Sequence, residues 1–170
     1  MSSAPIHVSL THREKQTAYY VAKLRNKAGV AAYANAGKYG NDMDTLLLHY
    51  RGCLGEMALA KGLNRYWSGG GLDYHNDDDV GGLQVRVTAH ATGRLLIRKG
   101  EGPDAAPFFL LVGEKGEYDI VGWAYAWKVK QDIFLDAPAG RTAAYFYPQN
   151  LLNPMTNKEW TSYITKSNGG

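Results

Sequence analysis

The spacing of apolar residues changes near residue 79, from a helical three-and-four period to an alternation of two. Upstream, Thr11 and Glu14 form a capping-box pattern ahead of TAYYVAKLRNKA, which predicts a helix from about residue 12 to the late twenties. Met43, Leu46, Leu47, Tyr50, Leu54, Met57 and Ala58 then mark the buried stripe of a second helix ending at Gly62. NRYWSGGGLDYHNDDD follows as a glycine- and aspartate-rich loop. Beyond it Leu83, Val85 and Val87 alternate with Gln84, Arg86 and Thr88. RLLIRK (94–99), PFFLLV (107–112) and EYDIVG (117–122) come after short connections, and the four segments together predict an antiparallel meander. WAYAWKVKQD (123–132) fits a helix or an extended strand, and AAYFYP (143–148) supplies a late strand.

These elements fit one α/β domain spanning 1–170, with a core over about residues 12–155 and mobile ends at 1–10 and 161–170. At 45% hydrophobic and 21% charged residues the chain can build one sizeable core. A net charge of +3 permits nucleic-acid contact without requiring it. The lone Cys53 allows no intrachain disulfide and no thiolate zinc site. No apolar run is long enough to span a bilayer and the N-terminus has no signal-peptide pattern, so a soluble, cytoplasmic protein with no membrane partner is expected. His7, His12, His49, His75 and His90 do not fall at metal-ligand spacing. No GK[ST] follows the glycines at 69–71, which excludes a phosphate-cradling loop of that kind.

The chemistry concentrates around two segments. Glu56 has Gly52, Leu59, Ala60 and Leu63 as helical neighbours, so it sits on a small, apolar face opposite the main stripe. Glu56 is then either a helix-surface carboxylate or, if buried there, one that needs a cation, a basic residue such as Arg86 or a metal ion. Asp77, Asp78 and Asp79 precede a Gly81-Gly82 turn; the first two read as solvated loop residues, whereas Asp79 abuts the following strand. Gln84 and Arg86 project from one face of that strand, within reach of Asp79 across a tight hairpin. Carboxylates with an amide oxygen suit Mg²⁺ or Mn²⁺, and a neighbouring guanidinium offsets charge growing on a phosphate.

Helical RGCLGEMALAKGL, then Asp79, then Gln84-Val85-Arg86 resembles the PD-(D/E)XK nuclease superfamily, of restriction-endonuclease-like fold. DVGGLQVRVT, RLLIRK, PFFLLV, DIVGWAYA and AAYFYPQNLLNPM are similar to segments of small uncharacterised phage or prophage proteins assigned to it, over about residues 43–155. The resemblance implies a central mixed sheet of four or five strands flanked by helices and Mg²⁺- or Mn²⁺-dependent hydrolysis of DNA. It implies Glu56, Asp79 and Gln84 as metal ligands and Arg86 in place of the superfamily's lysine. Two departures stand out: Gln84 removes a negative charge from the ligand set, and Arg86 exchanges a compact ammonium for a planar guanidinium.

Arg94, Arg98, Lys99, Lys128 and Lys130 line a phosphate track in the nuclease reading and are solvent-facing cations otherwise. Trp123, Tyr125 and Trp127 share a face if their segment is a strand, and core packing is favoured for them over base stacking. The alternative to a nuclease is a blunted nuclease fold that binds nucleic acid or a protein. Homo-oligomerisation and a phage or host protein partner stay open.

Overall fold

The computed structural model describes residues 3–34, 42–70 and 79–167. Its elements are β1 (Ile6–Ser9), α1 (His12–Ala34), α2 (Asp42–Gly62), β2 (Gln84–Thr88), β3 (Leu95–Arg98), β4 (Pro107–Glu114), β5 (Glu117–Tyr125), α3 (Ala126–Val129), β6 (Leu135–Asp136), β7 (Ala144–Tyr147) and α4 (Trp160–Ser167). Helix α1 starts as the capping box predicts: the Glu14 N–H donates to Thr11 Oγ1 and the Thr11 N–H to Glu14 Oε2. Helix α2 stops where Asn64 takes a left-handed φ of 54° and the Arg65 N–H folds back onto the Ala60 carbonyl.

Two sheets replace the single meander. The first, in the order β1-β5-β4-β2, is mixed: β2 runs parallel to β4, while β4 with β5 and β5 with β1 are antiparallel. The second has the order β3-β7-β6. RLLIRK therefore does not pair with its sequence neighbours. Leu95 and Ile97 are buried against Phe108, Leu110, Ala124 and Tyr147 on one face of the first sheet, and the excursion through β3 supplies the crossover that parallel pairing needs. On the other face Phe109 and Leu111 pack with Val85, Leu54, Leu59 and Ile120 beneath the helices. The unbroken apolar run of β4 is the mark of burial on both faces.

The C-terminal half of α2 is buried on every side from Cys53 to Ala60, whereas Leu47, assigned to the stripe from its spacing, is 44% exposed. WAYAWKVKQD divides between the two forms it permits: β5 runs to Tyr125 and α3 begins at Ala126. Trp123 is fully buried, Tyr125 is half-buried and Trp127 lies open. The ends take part in the fold as well. β1 pairs in register with β5, and Trp160 of α4 meets Phe109 edge to face at 5.5 Å beneath the Arg65 guanidinium.

Two tight places in and against the first sheet depend on glycine. Lys115 and Gly116, at φ 56° and 97°, form the two-residue turn between β4 and β5, and the left-handed conformation costs a lysine about 1 kcal/mol. Gly55 lets α2 approach β2 closely, since a Cβ there would stand 2.4 Å from Val87 Cγ2. Gly55→Ala gains up to about 1 kcal/mol in helix propensity but overpacks a stiff β-branched neighbour at a cost of about 1–3 kcal/mol. Thermal denaturation is expected to show a lower Tm for Gly55→Ala and partial recovery on adding Val87→Ala.

Candidate functional site

The helix faces supply the first half of the site. Ala18, Ala22 and Gly29 of α1 are buried, and Arg25 falls on the same stripe, directed at α2. Its Nη1 donates to Glu56 Oε1 and its Nη2 to Glu56 Oε2, both at 2.8 Å, a two-pronged pair in which Glu56 keeps 6% of its side-chain surface and Arg25 17%. Trp67 Nε1 adds a third hydrogen bond to Glu56 Oε2 at 3.0 Å, and Arg25 Nη2 also reaches the Gly69 carbonyl. Burial opposes the Arg25 charge, yet the Glu56 carboxylate outweighs it and holds the guanidinium above its ordinary range. The buried acid thus has its cation in Arg25 rather than Arg86.

The hairpin supplies the second half. Val80 and Leu83 exchange backbone hydrogen bonds around Gly81 and Gly82, whose φ of 47° and 87° define a two-residue turn. This folds Asp79 back beside β2, where the Val85 N–H donates to Asp79 Oδ2 at 2.8 Å. Gln84 and Arg86 lie half-buried on the opposite face of the strand from Val85. The Arg86 guanidinium lies 4.9 Å over the Phe108 ring. Its Nη1 donates to its neighbour's carbonyl, Val85 O, its Nη2 sits 2.6 Å from Glu101 Oε1, and Asp79 Oδ2 is 3.8 Å away. Asp79 therefore stands at the sheet edge between two arginines, one on each face.

Asp79 is the perturbed member. Burial first, then the nearby Glu56 charge, push its carboxyl up from 3.8 to about 6, against the lowering pull of the Val85 N–H, Arg86 and Arg25. Glu101 moves the other way: burial raises it, but Arg86 and its other partners bring it below the ordinary value. Burial pushes the Cys53 thiol up to about 12, which leaves it protonated and unreactive.

Glu56, Asp79 and Arg86 are thus brought into one neighbourhood, and Gln84 opens the strand that carries Arg86. The basic residues named from the sequence differ in their surroundings. Arg94 lies over the Phe146 ring, Arg98, Lys99 and Lys128 are exposed, and Lys130 is folded onto Asp104 and the Gly102 carbonyl with 14% of its side chain open. Lys130 is a structural cation here and not an open phosphate contact. His75, Asp77 and Asp78 lie outside the described residues. Arg25, Trp67 and Glu101 complete the site and escape a motif search. Only Arg25 leaves a signal, a charge on the small-residue stripe of α1.

Among the described residues no group of three or more His, Cys, Asp and Glu side chains converges on a metal position, and no helix is long and apolar enough to cross a membrane. The donor types that suit a hard divalent ion are the raised Asp79 carboxyl and the half-buried Gln84 amide. Glu56 already accepts three hydrogen bonds. In comparisons with protein-family models, curated proteins and solved structures, none matches the chain.

Removing Arg25 strands a buried carboxylate. Arg25→Ala is expected to cost about 3–5 kcal/mol in urea denaturation, and Arg25→Met with Glu56→Leu markedly less than the two single changes summed. For Asp79 the native value lies above the unfolded one, so the folded chain holds a proton that the unfolded chain has already released. Its contribution to stability is greatest below about pH 4 and is lost as the pH rises through about 6. Asp79→Asn should remove this slope, so Tm measured across that window is expected to fall more steeply for the wild type than for the variant.

Proposed function

We propose that the chain is a metal-dependent nuclease of restriction-endonuclease-like architecture that hydrolyses DNA phosphodiester bonds. The observation that carries this reading is the position of Asp79: a carboxyl raised to about 6 at the start of an edge strand, with Glu56 behind it and Arg86 3.8 Å away. A structural ion pair needs no such carboxyl. Its protonation equilibrium is poised for a cation to tip, because burial first and then Glu56 disfavour its negative charge and a bound cation restores it.

Asp79 and Gln84 would hold Mg²⁺ or Mn²⁺, and Glu56 acts on them through its charge while its oxygens stay with Arg25 and Trp67. When bound, the ion supplies an activated water and neutralises phosphate oxygens. The protein's own residues do the positioning. Glu101 and the Phe108 ring fix the Arg86 guanidinium in orientation, so its charge meets the scissile phosphate already oriented rather than as a free side chain. The Val85 N–H fixes one Asp79 oxygen, Oδ2.

A second reading, a nuclease-like fold that binds nucleic acid or a protein without cutting, is favoured by one observation: both Glu56 oxygens are engaged by Arg25. Linear, branched and single-stranded DNA incubated with Mg²⁺ or Mn²⁺ separates the two. Cutting is expected, with Asp79→Ala and Arg86→Ala each slower by about 10²–10³-fold. Cutting that survives Asp79→Ala sinks the nuclease reading, and salt-dependent binding with no cutting on any substrate establishes the second one.

A further inference from the structure

Away from Asp79, two adjoining hollows share Tyr50 and Lys115. One, of about 310 Å³, has Leu47, Leu54 and Val87 along its floor, with Arg51, Glu114 and Tyr118. The other, of about 630 Å³, lies between the start of α1 and the β4–β5 turn and is lined by His12, Lys15, Gln16 and Tyr19. Among the described lining residues, Lys15, Arg51 and Lys115 share the joined groove with one acid, Glu114. Glu14, the nearest acid on α1, is held by Lys61 at 2.8 Å. Tyr19 and Tyr50 meet edge to face at 5.4 Å, and the Lys23 ammonium lies 5.8 Å from the Tyr19 ring centre.

Lys115 singles this groove out. It is exposed, it lines both hollows, and it takes a left-handed conformation that glycine or asparagine would adopt at less cost. Strain kept at a position with no packing role points to a function for the side chain held there. Lys15 is placed by the same turn, its stem running where a Cβ on Gly116 would stand 2.8 Å from Cδ.

We infer that this groove binds single-stranded nucleic acid, with Lys15, Arg51 and Lys115 taking phosphates and the tyrosine-lined, apolar floor taking a base. Cations interleaved with aromatic rings are the composition that sequence-tolerant strand binding requires, and an acidic peptide would have no use for the rings. The inference rests on the nuclease reading in one respect, the route of the strand: Val87 in the groove lies three residues beyond Gln84, about 10 Å along β2. On the nuclease reading, a strand held in the groove would be the one presented to Asp79.

The test measures fluorescence anisotropy of a labelled oligothymidylate about 12 nucleotides long in chelator, where nothing is cut, alongside thermal denaturation. Lys115→Asn is expected to raise Tm by about 2–4 °C, because strain is relieved, while weakening binding about three- to tenfold and reducing the salt slope by about 0.7. Lys15→Gln should weaken binding without the gain in Tm. Thymidine monophosphate competing as well as the oligonucleotide would reassign the groove to free nucleotide and overturn the strand inference. So would polyglutamate competing equally, or Lys115→Asn binding as tightly as the wild type. If Lys115 proves necessary for binding but the wild type never cuts DNA, the groove stands and the nuclease reading alone falls.

Discussion

The interaction on which the site depends is the desolvated pair between Arg25 and Glu56. Neither residue tolerates its position alone: a carboxylate at 6% exposure among Cys53, Met57, Ala58 and Ala60 needs a full countercharge, and only a guanidinium from the facing helix brings two parallel donors to it. The pair fixes the rotation of α1 against α2. Through Trp67 and the Gly69 carbonyl it also fastens the chain that leaves α2.

Around that pair the charges alternate in space. Arg25 and Glu56 lie between α1 and α2, Asp79 at the sheet edge, and Arg86 and Glu101 on the other side of β2. Each outer acid has an arginine at hydrogen-bonding distance. Among the described residues Asp79 has a backbone N–H at that distance and a guanidinium almost an ångström farther than a good charge-assisted bond, so it absorbs the imbalance of the whole row. The raised carboxyl is therefore a property of the network and not of one contact.

Much of this was legible in the residues. The capping box of Thr11 and Glu14, the stop after Gly62, the burial of α2 on two sides and the approach of Asp79 to β2 all follow from local chemistry, which a sequence carries in full. Strand partners did not follow. RLLIRK alternates like its neighbours, and nothing in its own residues tells whether Leu95 and Ile97 face a meander or a second sheet, because that is decided by the two-sided burial of β4. The partner of Glu56 was hidden for the same reason: Arg25 is 31 residues upstream, and its cue was the company of Ala18, Ala22 and Gly29.

The pairing of β1 with β5 bears on how the molecule assembles. Ile6 lies opposite Ile120 and Ser9 opposite Glu117, so the first strand of the chain finds its partner only after more than half of the sequence has been made. During synthesis β1 must wait, unpaired, for β5 to appear, whereas the buried stripe of α1 meets α2 as soon as that helix follows. Short length limits the exposure: four residues, with only Val8 fully buried, present little edge for an unrelated strand to capture during that interval.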